Sequence, residues 1–381
     1  MSNPVDVKWF TSDMLGAPAL SGTAGALIAV LDACLVNGFG SVTLTSLTVS
    51  DGVATAIKSG HGFPDHAVVL INESTPSGLN GEKRITQIDA NTFTFDATGI
   101  SDQTATGTIT AKIAPLGFSK AYSGTNKAVY RGEDIAGNRL YLRVADEGAG
   151  AATYSRVRGY ESMSDVDTGT GPFPTDAQIS GGLYWGKSTT ANSTARSWRL
   201  FGDSQGFYYF SDSSGAGQWA GGTWIGINSD HVGDEFATLI IGGDSSGVAN
   251  ACLIANMSNR VGHYMPRTYT QLGTAIQVIK ITNQIVSSYS GAAGLPYPSP
   301  GTGKLYCAPI DIFEGTSSAA VTALRGSFPG VYAILHVGSQ VTDGEQHVGL
   351  SGLDDRVMMM QRIYYAGYSL AVLIDITGTW R

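Results

Sequence analysis

The residues of this chain that could do chemistry are few, and most of them sit beside glycine. Gly202-Asp203-Ser204-Gln205-Gly206 has the Gly-x-Ser-x-Gly form of a hydrolase nucleophile elbow. Such an elbow needs its serine between a strand and a helix, because the helix start helps to hold the oxyanion. Here the following residues are Phe207-Tyr208-Tyr209-Phe210, a strand pattern, so the segment reads as a hairpin turn. A trypsin-like Gly-Asp-Ser also fails, since Gln205 stands where a glycine is needed.

Other constellations are weaker. His61, His66, His231, His263, His336 and His347 include no His-x-x-x-His or His-Glu-x-x-His pair, so structural roles are favoured over metal ligation. Asp165-Val166-Asp167-Thr168-Gly169 opens like a calcium loop, with Asp176 at the twelfth position. The sixth position is Thr170, where the EF-hand turn needs glycine. Asp165 and Asp167 are therefore candidate cation ligands, set against a preferred reading in which they cap turns. Gly301-Thr302-Gly303-Lys304 lacks the earlier glycine and the Ser/Thr of a phosphate-binding loop. Asp354-Asp355, Glu133-Asp134 and Asp234-Glu235 are paired carboxylates, but glycosidase carboxylates must face each other across about 5–10 Å, which adjacent positions do not provide. Trp185, Trp219 and Trp224 are candidates for stacking on a glycan, against the preferred reading of buried hairpin packing. Cys34, Cys252 and Cys307 share no redox or metal spacing and read as buried free thiols. No catalytic, cofactor-binding or metal-binding set is therefore expected, and the chain reads as no enzyme.

The elements that must position these residues are mostly short strands. One helix is expected at about 23–36, from Leu27, Ile28, Val30, Leu31, Cys34 and Leu35 at helical spacing. Ser21-Gly22-Thr23 offers N-caps and Asn37-Gly38 a stop, and the wide apolar face should pack on a sheet or a neighbouring subunit. From residue 42 the period changes to two. Asp51-Gly52 turns one hairpin, Asp89-Ala90-Asn91 another, and five or six strands up to residue 113 suggest a small β-barrel or sandwich. Further hairpins are expected at 139–144, at 198–201 with 207–210, and at 236–241 with 248–254. Residues 274–286 fit either a helix or a strand, a Pro/Gly linker follows at 294–301, and strands are expected at 305–312, 331–336, 357–363 and 369–376. The whole is mainly β: several small antiparallel barrels or sandwiches and one N-terminal helix. The expected division is a main body (1–41 with 114–293), an inserted module (42–113) and a C-terminal β domain (294–381).

Composition agrees. The chain has 381 residues, 50 of them glycine, and 43% are hydrophobic, enough to bury real cores. Only 14% are charged and the formal net charge is -8, a poor electrostatic match to nucleic acid. A surface so poor in charge suits cover by neighbouring subunits. The start, Met1-Ser2-Asn3-Pro4-Val5-Asp6, lacks the basic opening of a signal peptide, and no apolar run reaches membrane-spanning length. The expectation is a protein made in a cytoplasm, without membrane insertion.

Ser59-Gly60-His61-Gly62-Phe63, Leu79-Asn80-Gly81 and Asn91-Thr92-Phe93-Thr94-Phe95, in that order, resemble a small β module of phage tail proteins and related surface arrays. The resemblance implies an inserted structural or adhesive decoration without catalysis. Residues 15–25 with Asn37-Gly38-Phe39-Gly40, the stretch 165–174, the stretch 324–332 and the final Asp375-Ile376-Thr377-Gly378-Thr379-Trp380 resemble a family of phage and prophage virion proteins. These islands are scattered over most of the chain. They imply a tail-tip or baseplate location and carry over no catalytic or binding residues. The expected function is thus a structural component of a phage tail, a homo-oligomer (trimer or hexamer) assembled with other tail and baseplate proteins in the virion. The alternative is a receptor-binding tail protein that touches the host cell surface through the inserted module or the aromatic 198–224 region. A polysaccharide-degrading tail enzyme is the least favoured reading.

Overall fold

The computed structural model describes residues 5–147, 154–244, 262–282, 294–316, 320–365 and 368–381. The strand expected at 248–254 and Cys252 lie outside the described residues. The architecture is mainly β, with antiparallel sheets and one short helix. Among the described residues the sheets are open and none closes into a barrel.

The largest sheet has 13 strands. It begins at Lys8–Thr11, passes through Trp198–Asp203, Gly206–Ser211, Ala220–Gly226, Thr238–Gly242, Gly262–Met265 and Ile276–Thr282, and continues through Cys307–Gly315 and Val321–Ile334. Tyr368–Asp375, Leu353–Tyr365 and Gln346–Leu350 follow, and the short Asn228–Ser229, paired with Val321–Ile334, is the thirteenth described strand. Residues 276–282 are a strand, which resolves the ambiguity of their pattern. The strands before and after residue 294 therefore share one sheet.

Phe207-Tyr208-Tyr209-Phe210 does not alternate with polar residues because the sheet is covered on both faces there. Phe207 and Tyr209 pack against Trp185, each with ring centroids 5.9 Å apart, from the six-stranded sheet that includes Phe118–Gly124, Lys127–Gly132, Tyr141–Ala145 and Tyr154–Met163. On the opposite face Tyr208 meets Phe328 at 6.1 Å and Trp380 at 5.4 Å. The long sheet thus curls until its last third covers its first. All four aromatics are fully buried, each contributing roughly 1.5–3 kcal/mol of hydrophobic stabilisation.

The helix runs over Ala26–Leu31 and widens into a π-turn at Asp32–Asn37. It starts later than the cap candidates at 21–23 suggest. Gly25 holds the N-cap position without a side-chain cap. A distant residue supplies it: Leu27 N–H donates to Asp146 Oδ2 at 2.8 Å. The stop is at Gly38, with φ 68°, whose N–H closes on the Ala33 carbonyl at 2.9 Å. The apolar face packs on the six-stranded sheet, where the Tyr130 hydroxyl and Lys120 ammonium both donate to the Asp32 carboxylate at 2.8 Å.

Residues 39–113 form the two remaining sheets. The first strand, Phe39–Thr43, pairs with the last, Thr110–Ile113, so the chain enters and leaves the module at one place. The Asp51-Gly52 turn joins Ser46–Ser50 to Val53–Ile57 with both turn residues at positive φ, 51° and 75°. Two of the module's three resemblance islands, 59–63 and 91–95, meet in its fold, while Asn80 of the third clamps a neighbouring turn. His61, Phe63 and Phe93 form an aromatic triad with centroids 5.2–5.7 Å apart. Gly60 N–H donates to Asn91 Oδ1 at 3.1 Å, and Asn80 clamps both the N–H and the carbonyl of Ser74 at 2.9 Å. Arg84 ties the module to the body: its guanidinium donates to the carbonyls of His66 (2.8 Å), Ile376 (2.8 Å) and Val7 (2.7 Å). Lys8 reaches back to Glu82 at 2.7 Å.

Candidate functional sites

The Ser204 hairpin is a tight turn between two paired strands, Trp198–Asp203 and Gly206–Ser211, with no helix behind it. Ser204 Oγ donates to Asp134 Oδ2 at 2.8 Å, and Gln205 Nε2 donates to the same oxygen at 3.1 Å. Burial works to raise the Asp134 carboxyl, but the Ala136 N–H, the Ser204 hydroxyl and the Gln205 amide outweigh it and hold it below its ordinary value. A carboxylate held below its ordinary value is a weak base for a serine, and no histidine bonds to Ser204 among the described residues. Asp203 is consumed locally: it accepts from Gln205 N–H at 2.9 Å and pairs with Arg381. The hydroxyl is part of a turn that fastens loop 133–139 to the sheet.

Beside this turn lies an open cleft of about 500 Å³. One wall is Gln205 with Ala136 and Asn138; the other is the stretch from Asn228 to Ala237; Arg381 stands at one side. The second wall rests on a buried ion triad. Arg325, 1% exposed, donates to Asp234 Oδ2 at 2.5 Å and to Glu314 Oε1 at 2.9 Å. Asp234 also accepts from the Phe236 N–H at 3.0 Å, so one carboxylate fixes the loop's return. The triad escapes sequence reading because Glu314, Arg325 and Asp234 belong to three separate segments; its only trace is charge inside otherwise apolar strand patterns.

The three tryptophans singled out for glycan stacking are all buried: Trp185 at 0%, Trp219 at 7% and Trp224 at 2% exposure. That corrects the candidate. Trp185 donates its indole N–H to the Ile241 carbonyl at 2.6 Å, Trp224 stacks on Phe173 at 5.7 Å, and Trp219 is covered by the Arg199 guanidinium at 4.5 Å. Trp185 and Trp224 lie between the two packed sheets, and the Arg199 guanidinium sits over the Trp219 ring.

Asp165 and Asp167 sit in a hairpin turn. Asp165 Oδ1 accepts from the N–H groups of Asp167 (2.7 Å) and Thr168 (2.8 Å), and Asp167 pairs with Arg143 at 2.5 Å and Lys127 at 3.2 Å. Asp176 is paired elsewhere, with Arg158 at 2.7 Å. The three carboxylates do not converge, and among the described residues no three His, Cys, Asp or Glu side chains do. The adjacent acid pairs diverge as well: Asp234 is buried on Arg325 while Glu235 is exposed, and Glu133 bonds Ser119 and two arginines while Asp134 takes Ser204. His61 and His336 each use both ring nitrogens. Phe63 N–H donates to His61 Nδ1 at 3.0 Å, and Tyr306 N–H to His336 Nε2 at 2.8 Å, so each other nitrogen donates to a backbone carbonyl. Cys34 and Cys307 are free thiols, both pushed up by burial.

Among the described residues no helix is long and apolar enough to cross a membrane. Neither the known family models nor the curated proteins include a match to this sequence.

Proposed function

We propose that the chain is a structural component of a phage tail, at the tip or baseplate, made in the bacterial host cytoplasm and built into the virion. It works by symmetric assembly with copies of itself, as a trimer or hexamer, and with other tail proteins. The observation that carries this reading is the 39–113 module, a compact two-sheet unit whose entry and exit strands pair with each other. Such a unit can decorate a body without interrupting it. A second support is apolar surface: Ile135, Leu272 and Val348 are 69–89% exposed in a chain with only 14% charged residues, which suits subunit contacts. The test is the mass of the full chain by light scattering, with electron microscopy of the particle to locate it. A closed ring or trimer is expected; a monomer in both solution and particle would sink the reading.

A further inference from the structure

We propose that the cleft beside the Ser204-Gln205 turn binds a neutral, hydroxyl-rich ligand, a saccharide. The starting point is which of its groups are already used. Gln205 donates to Asp134, Asn228 Nδ2 donates to the Trp380 carbonyl at 3.2 Å, and Arg381 is held by Asp203 and the Gly226 carbonyl. Two side chains are left over. The His231 ring and the Glu235 carboxylate make no hydrogen bond or ion pair among the described residues, and both line the cleft. Between them stands Val232, 98% exposed.

This loop is not loose. Asp234, in its middle, is anchored on the buried Arg325, and the Ser229 hydroxyl takes the loop's own His231 carbonyl at 3.3 Å. Buried ion networks add little net stability, so their use here is geometric: the triad anchors the backbone that carries His231, Val232 and Glu235. Two free polar groups and an exposed apolar tip, on a rigid support at the edge of a cleft, make a recognition surface.

The chemistry of the walls narrows the ligand. An anion is disfavoured, because Glu235 is exposed in the cleft and the Arg381 charge is neutralised by Asp203. A metal ion lacks three converging ligands among the described residues. An apolar ligand would strip water from Glu235 and His231 and return no hydrogen bond. A saccharide meets each group. Glu235 accepts from paired hydroxyls, His231 donates or accepts, and Val232 with the His231 ring covers the C–H face of a sugar ring.

The site does not depend on the assembly proposal, and the two are read out separately. The probe is an array of neutral oligosaccharides with the full chain, followed by calorimetric titration of each glycan retained. The double substitution His231→Ala, Glu235→Ala removes two exposed side chains that have no partner among the described residues, so melting should not change. The proposal expects at least one neutral glycan bound, and at least a tenfold loss of affinity in the double variant. It is overturned if no neutral glycan binds, if the double variant binds equally well, or if the double variant changes the oligomer mass instead, which would make the cleft a subunit contact.

Discussion

Lys187→Met tests the most deeply buried charge pair. Lys187 and Asp146 pair with zero exposure on either side chain. Lys187 Nζ also donates to the Thr23 carbonyl at 2.6 Å, and Asp146 also accepts from the Leu27 N–H at 2.8 Å and the Ser155 hydroxyl at 2.9 Å. One pair therefore joins the helix start, the strand Tyr154–Met163 and the segment after Leu183–Gly186. Methionine fills much of the lysine volume, so the loss is electrostatic: a buried carboxylate without its cation, about 3–5 kcal/mol. The unfolding entropy of 381 residues, at about 2.1 cal/mol/K each, is roughly 0.8 kcal/mol/K. Dividing a loss of ~4 kcal/mol by that slope gives a melting point lower by about 5 °C. Calorimetry reads this directly. Adding Asp146→Asn removes the stranded charge while its amide oxygen still accepts from Leu27 or Ser155, so the double variant should regain at least half of the loss. A single variant melting within about 1 °C of the parent, or a double variant worse than the single, would refute the reasoning.

Four further outcomes are expected. Arg84→Ala removes the two carbonyl bonds, to Val7 and Ile376, that dock the module on the body, so hydrogen exchange should rise at 5–8 and 374–377 while the His61–Phe63–Phe93 core stays protected. Gly330→Ala puts a methyl 2.1 Å from the Trp380 indole nitrogen at φ 67°; a destabilisation of at least ~2 kcal/mol should appear with a changed near-ultraviolet tryptophan signal. Ser204→Ala loses one hydrogen bond to Asp134, so stability should fall by about 1 kcal/mol with no change in hydrolysis of a generic ester; loss of an activity would revive the serine as a nucleophile. The Arg143 and Arg158 hydrogen bonds hold Asp167 and Asp176 below the ordinary carboxylate value. A depressed folded value stabilises above the unfolded pKa of about 3.9 and is lost as pH falls through the folded value. The stability gap between the parent and Asp167→Asn, Asp176→Asn, measured by denaturant titration, should therefore be full at neutral pH and close in strong acid; a constant gap would contradict it.

The local elements were legible because their signals are local. Asp51-Gly52 demands positive φ at two successive positions, and the structure turns there. The apolar spacing from Leu27 to Leu35 marks a helix, and Asn37-Gly38 ends it. Residues 274–286 stayed ambiguous because a short apolar run suits either period; the choice of strand came from its neighbour Cys307–Gly315, far along the chain. The helix start was misplaced for a related reason: its capping acceptor is Asp146, 119 residues from Leu27.

Candidate chemistry divides the same way. From residue types alone, Ser204 already reads as a turn residue and the acid pairs as poor catalytic pairs. Whether Trp185, Trp219 and Trp224 face solvent is not a property of sequence, because a strand covered on both faces looks the same as one half exposed. Only the packing of the six-stranded sheet on the long one, which sets Trp185 against Phe207 and Tyr209 and Phe173 against Trp224, encloses those two rings, and Arg199 covers Trp219. The cleft with His231 and Glu235 exists for the same physical reason. Its walls are separate segments, and the charges that hold them, Asp234, Glu314 and Arg325, become partners only when distant strands are set side by side.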